Sequence, residues 1–180
     1  MNKWFFATRR SLIVSIVLHA LLIIIVYVFQ RMIFPYLRLY GFVPLLLPIV
    51  STGIAVYEGC HAGGIAGLFA GILCDVSFNE AAGLFTVLLT VMGLLVGMFA
   101  DTILTRGFAT FFLSCIAVLS ICAFTQMFPL LFYENVTPTP LLMTALWQTV
   151  YSLVFAIPLW FPARALGKRA QRFSASGRPL

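Results

Sequence analysis

Apolar runs long enough to cross a lipid bilayer recur along this chain with very little between them. The first, 11–30, follows Arg9 and Arg10 and ends before Arg31. Its roughly 20 residues are enough for a helix to cross about 30 Å of hydrocarbon. Further runs occupy about 42–57, 62–76, 84–100, 108–128 and 141–161. No water reaches the bilayer core to satisfy peptide N–H and C=O groups, so such runs are confined to helices or closed barrels. Unbroken apolar character, without strand-like alternation, predicts helices. Composition agrees, with 62% hydrophobic and 9% charged residues and a mean hydropathy of +1.08, against about a quarter charged in soluble domains. The expectation is an all-α membrane protein, a bundle of about six transmembrane helices forming a single domain over 1–180, with 162–180 as a basic cytoplasmic tail.

The net charge of +6 does not indicate nucleic acid, because the cations collect at the chain ends. Lys3, Arg9 and Arg10 precede the first run, and Arg164, Lys168, Arg169, Arg172 and Arg178 follow the last. Six crossings put both ends on one side. That side would also hold Arg106, whereas the other would hold only Arg31 and Arg38. The bias predicts an N-in/C-in, multi-pass membrane protein, with the tail near anionic headgroups. Trp4 and Trp160 fall near the inner edge and Trp147 inside a helix. The first run is too long for a signal peptide and no small-x-small cleavage site follows it, so it reads as an uncleaved helix.

Pro44 and Pro48 in the second run predict a bend or a late helix start, tolerable where neighbouring helices cover the freed carbonyls. Cys60, Cys74, Cys115 and Cys122 form no CxxC pair, which predicts buried thiols and neither a disulfide nor a metal site. The longest outer stretch, about 129–140, contains an Asn135-Val136-Thr137 sequon, a match too short to carry weight. No loop is long enough for a catalytic or binding domain of its own.

Segment 63–97 is the most informative. Gly63, Gly67 and Gly71 fall every fourth residue and form a small stripe on one helix face; Gly93 and Gly97 make a second pair on the next helix. Such stripes let backbones approach closely. They read either as internal packing or as a surface for another protein's transmembrane helix. Asp75 ends the first stripe. A carboxylate at membrane depth is costly and faces a partner or a wet cavity; at the outer headgroup level it would instead cap the turn toward Asn79 and Glu80. Glu58 and His61 are expected in one inner loop and Asp101 and Arg106 in the next, solvated or offered to a cytosolic partner. His19 and Gln148, inside spans, are expected to pair within the bundle. The chain has no G-x-x-x-x-G-K-[ST] loop, no HExxH and no G-x-S-x-G elbow. Its five acids scatter. No catalytic residue, cofactor or metal ligand is expected.

The third helix reads G-x-x-x-G-x-x-x-G-x-x-x-D through Gly63, Gly67, Gly71 and Asp75, and a short turn then leads to Ala82-Gly83-Leu84. With the chain length, basic tail and minimal loops, this resembles MreD, the bacterial rod shape-determining membrane protein family. Pro44 and Pro48 fit the family's second helix, although the polar residue that often accompanies the proline is missing. The resemblance implies a non-enzymatic protein of the cytoplasmic membrane. Its implied partners are an MreC-like bitopic protein and, indirectly, an MreB-like filament, a RodA-type glycosyltransferase and its transpeptidase. It also implies a fold similar to the substrate-binding subunits of energy-coupling-factor vitamin transporters. Only the glycine stripe and Asp75 carry over, as a packing and structural signature.

Two functions remain open at this point. One is a scaffold of the cell-elongation machinery. The other is a transporter's substrate-binding subunit, which needs an outward cavity; its candidate groups are Asp75, Asn79, Glu80, Tyr133, Glu134 and Asn135.

Overall fold

The computed structural model describes residues 3–33, 44–78, 83–102, 107–127 and 138–176, with side-chain surroundings over 16–32, 44–77, 83–102, 107–126 and 143–167. The described residues form six helices and no strands: α1 (Lys3–Ile33), α2 (Leu46–Glu58), α3 (Cys60–Phe78), α4 (Leu84–Thr102), α5 (Phe108–Met127) and α6 (Pro138–Ser176). Four stretches are long and apolar enough to cross a membrane: Cys60–Ser77, Leu84–Thr102, Phe108–Gln126 and Met143–Gly167. The apolar parts of the other two helices, Ile16–Met32 and Leu46–Glu58, are shorter.

α2 is the hub. Every residue from Leu46 to Tyr57 is buried, and α2 packs against all five other helices. Its 13 residues rise only about 20 Å at 1.5 Å per residue, short of the roughly 30 Å hydrocarbon core. The second expected span, 42–57, is corrected accordingly. Pro44 and Leu45 lie outside the helix, which begins at Leu46, while 42 and 43 fall outside the described residues.

A helix that starts inside a bundle needs partners for its first amides. Ser152 on α6 accepts the Leu45 N–H at 3.0 Å, and its own hydroxyl donates to the Gln148 carbonyl at 2.7 Å. Gln30 on α1 accepts the Leu46 N–H through Oε1 at 3.2 Å. Pro48 sits in the first turn, where a missing N–H removes no intrahelical bond. Its carbonyl accepts from Ser51 at 3.0 Å and Thr52 at 2.7 Å, so both buried hydroxyls are satisfied locally.

Cross-helix contacts fix the directions. Gln30 meets the start of α2 and His19 meets its end at Glu58, so α1 and α2 are antiparallel. Ser152 lies at the start of α2 and Trp160 at Tyr57 near its end, so α6 is parallel to α2. α5 runs against α6, with Phe108 beside Trp160 and Gln126 bonded to Gln148. The first residues of α1 and the last of α6 therefore emerge at one end of the bundle. α6 continues to Ser176 without a break at 162, and Pro158 and Pro162 lie inside it. The expected tail thus begins as helix. The other helices agree with the sequence to within a few residues, apart from α1, which starts at Lys3 well before 11.

Ser152→Ala should leave the buried Leu45 amide without its acceptor and destabilise the bundle by about 1–3 kcal/mol. Ser152→Thr, which keeps the hydroxyl, should recover part of this. Unfolding in mixed micelles titrated with denaturing detergent measures both.

Candidate functional site

The glycine stripe is occupied by the protein itself. α3 and α4 form an antiparallel pair with backbones nearly in contact, and the glycines of both helices lie in the seam. A Cβ on Gly63 would meet the Gly93 carbonyl oxygen and Ala55 Cβ of α2, each at 2.6 Å. On Gly67 it would strike the backbone of Leu89, on Gly71 that of Phe85 and Thr86, and on Gly93 the Gly63 carbonyl. On Gly97 it would lie 2.5 Å from the Cys60 Cα. The obstacles are mostly main-chain atoms, which cannot rotate away as a side chain can. Lipid offers no hydrophobic drive between helices, so such dispersion contacts carry the association.

A carboxylate closes each end of the seam. α4 begins after Gly83, which has no side chain to cap the helix and a φ of +93° that only glycine adopts without strain. Asp75, near the end of α3, supplies the cap from outside. Its Oδ1 accepts the Phe85 N–H at 3.0 Å and its Oδ2 the Thr86 N–H at 3.0 Å, together with the Thr86 hydroxyl. These are the amides an N-cap side chain would take, at the end of the helix dipole that favours negative charge. α3 repeats the arrangement: it begins after Gly59, with φ +92°, and Asp101 near the end of α4 accepts the Cys60 N–H at 3.3 Å. Each helix of the pair thus caps its neighbour.

The sequence held a signal for Asp101 that its assignment to a loop hid. Gly93, Gly97 and Asp101 repeat the four-residue spacing of Gly67, Gly71 and Asp75. The structure corrects that assignment, since Asp101 lies within α4. It corrects two others, since Glu58 is the last residue of α2 and His61 lies in α3, with Gly59 alone between the helices. Glu58 Oε1 lies 2.8 Å from His19 Nε2, both side chains about one-tenth exposed, which ties α1 to the end of α2. Gln148 donates to Gln126 Oε1 at 3.1 Å. Arg31 donates to the Ser77 carbonyl at 3.2 Å, where a cation suits the C-terminal end of α3. Cys74, Cys115 and Cys122 are buried free thiols and Cys60 is a partly buried one. Among the described residues no three metal-ligating side chains cluster. Asn79, Glu80, Arg106, Tyr133, Glu134 and Asn135 lie outside the described residues.

Polar groups turned inward on helix ends and on each other, with apolar side chains such as Val87, Leu113, Trp147 and Val154 turned outward, define a multi-pass helical membrane protein. The chain belongs to the MreD family: the model of rod shape-determining protein MreD matches residues 8–170, a stretch that contains the seam and both capping acids. The resemblance carried by the third helix is thereby confirmed, and membership places the protein in rod-shape determination. No curated protein and no solved structure matches the chain.

Substitutions in the seam, its caps and the His19–Glu58 pair test this geometry. Gly67→Ala should destabilise the bundle by about 1–3 kcal/mol or more through overpacking, and Asp75→Ala by about 1–2 kcal/mol through loss of the α4 cap. Asp101→Ala should cost less, because its end of the seam is exposed and water can replace the carboxylate. His19→Leu should be worse than His19→Leu combined with Glu58→Gln, since the single change strands a buried carboxyl group. Detergent unfolding of the purified variants gives all of these differences.

Proposed function

We propose that this protein is a non-enzymatic scaffold of the cell-elongation machinery in the bacterial cytoplasmic membrane, oriented N-in/C-in. It holds the single transmembrane helix of an MreC-like bitopic partner and so links an MreB-like filament inside to a RodA-type glycosyltransferase and its transpeptidase outside. The observation that carries this reading is the match to rod shape-determining protein MreD over 8–170. The structure is consistent with it at the level of packing. The polar side chains that meet in the described bundle serve helix caps and cross-helix pairs, which suits a rigid body.

The glycine seam is filled by α4, so the partner helix belongs on the outer surface. Faces rich in exposed Val, Ile, Leu and Phe, such as Val150, Val154, Ile157 and Phe161 on α6, exchange lipid for helix at little polar cost. The alternative, a substrate-binding subunit of an energy-coupling-factor transporter, needs free polar groups around a cavity. Gln30, Ser152 and Gln148 already bond within the protein.

Chemical crosslinking of the tagged full chain in its native membrane, followed by purification, tests the proposal. Recovery of an MreC-like protein with wall synthases is the expected result. Recovery of an ATPase pair with its coupling subunit would sink the scaffold reading and assign the transporter role.

A further inference from the structure

The end of the bundle where α1 begins and α6 finishes carries a fixed arginine outside the seam. Trp160 on α6 donates its indole N–H to the Tyr57 hydroxyl of α2 at 2.6 Å. Phe108 of α5 meets the same ring edge-on, with centroids 5.2 Å apart and planes at 86°. Two neighbouring helices thus set the plane of the indole. One turn further along α6, Arg164 lies over that ring with its Cζ 4.8 Å from the centroid. It is exposed on its outer side. Stacking engages the flat face of a guanidinium and leaves its edge, a planar fork of N–H donors that matches two oxygens of a phosphate.

The sequence gathers further cations near this arginine. Lys168 and Arg172 follow Arg164 at four and eight residues, and Arg169 adjoins them, all within the helical span of α6. Lys3, Arg9 and Arg10 stand in the early turns of α1, which opens at the same end. Glu58 is engaged with His19 and Asp101 with the first amide of α3. The aromatic surroundings select the ligand. Trp160, Phe108 and the exposed Phe161 make an aromatic rim of the kind that sits at headgroup level, and cations there attract anionic leaflets.

We infer that Arg164, stacked on Trp160, forms a binding site for the phosphate of an anionic phospholipid headgroup, in a stretch of sequence where further cations follow. The site stands independently of the scaffold role.

The test uses the full chain with Trp4→Phe and Trp147→Phe, which leaves Trp160 as the only tryptophan. The protein is placed in phosphatidylcholine nanodiscs doped with either brominated phosphatidylglycerol or the same fraction of brominated phosphatidylcholine. Trp160 should be quenched more by the anionic lipid, reporting its local enrichment. Arg164→Gln should cut that enrichment about fivefold, the factor expected for one cation near a charged surface. Arg164→Lys should restore part of it. Lys168→Gln, Arg169→Gln and Arg172→Gln together leave the indole stack intact and should also lower it. Equal quenching by the two lipids would overturn the site, as would enrichment that survives Arg164→Gln in a protein of unchanged thermal stability. Relief of the quenching by millimolar inorganic phosphate would also overturn it, because the site would then read soluble phosphate.

Discussion

Peptide amides that begin a helix inside a membrane have no water to turn to, and this chain meets that constraint with side chains borrowed from other helices. Within α2, α3 and α4 the first turns have no local capping side chain. α2 begins just after Leu45, and the amides of Leu45 and Leu46 are served by Ser152 and Gln30; α3 and α4 begin just after glycines and are served by Asp101 and Asp75. A local N-cap stabilises only its own helix. A cap supplied across the bundle stabilises the helix start and the helix–helix orientation together. Losing it both exposes an amide and releases a contact.

The seam between α3 and α4 follows from this arrangement. Two antiparallel helices that cap each other must lie close and in register, and glycine on both sides allows the approach. Carboxylates at the two ends then set the register, since sliding by one turn would carry each acid about 5.4 Å from the amides it serves. The seam and the caps are one device: the glycines bring the backbones together, and the acids fix where along each other they stop. α2, buried on every side, has the seam on one flank and α5 and α6 on another, where Gly53 admits Ala163 and Phe111.

Much of this was legible in the sequence, and the exceptions have physical causes. Helix count and positions follow from apolar length, because a bilayer imposes that length. Proline at 44 and 48 indicated a late start for α2, but its shortness depends on complete burial by five neighbours, which no local pattern encodes. The stripe of Gly63, Gly67 and Gly71 was visible as a small face, and its occupant was not, because the choice between an internal and an external partner is made by tertiary packing. Asp75 read as a local cap or a site, and it proves to cap the helix that follows. Asp101 and Glu58 were placed in loops because polar residues near span ends look solvated; the link between α2 and α3 is the single residue Gly59, and both acids are drawn back into helices. The pairing of His19 with Glu58 joins residues 39 positions apart, a distance that periodicity does not reach.

The same distribution constrains how the protein meets others. Inside the bundle, polar groups are spent on caps and cross-helix pairs, and the outer surface of α3, α4, α5 and α6 presents apolar side chains to its surroundings. A partner in the bilayer therefore has shape and dispersion to recognise, with little hydrogen bonding on offer there. Specificity of polar origin is confined to the ends of the helices, where cations gather on one side and Arg31 is tied to the Ser77 carbonyl on the other. Variants that alter assembly without loss of the fold should accordingly lie on lipid-facing apolar positions or in the basic ends. Variants in the seam and its caps should act through stability, because at those positions the structure leaves no surface for a partner to read.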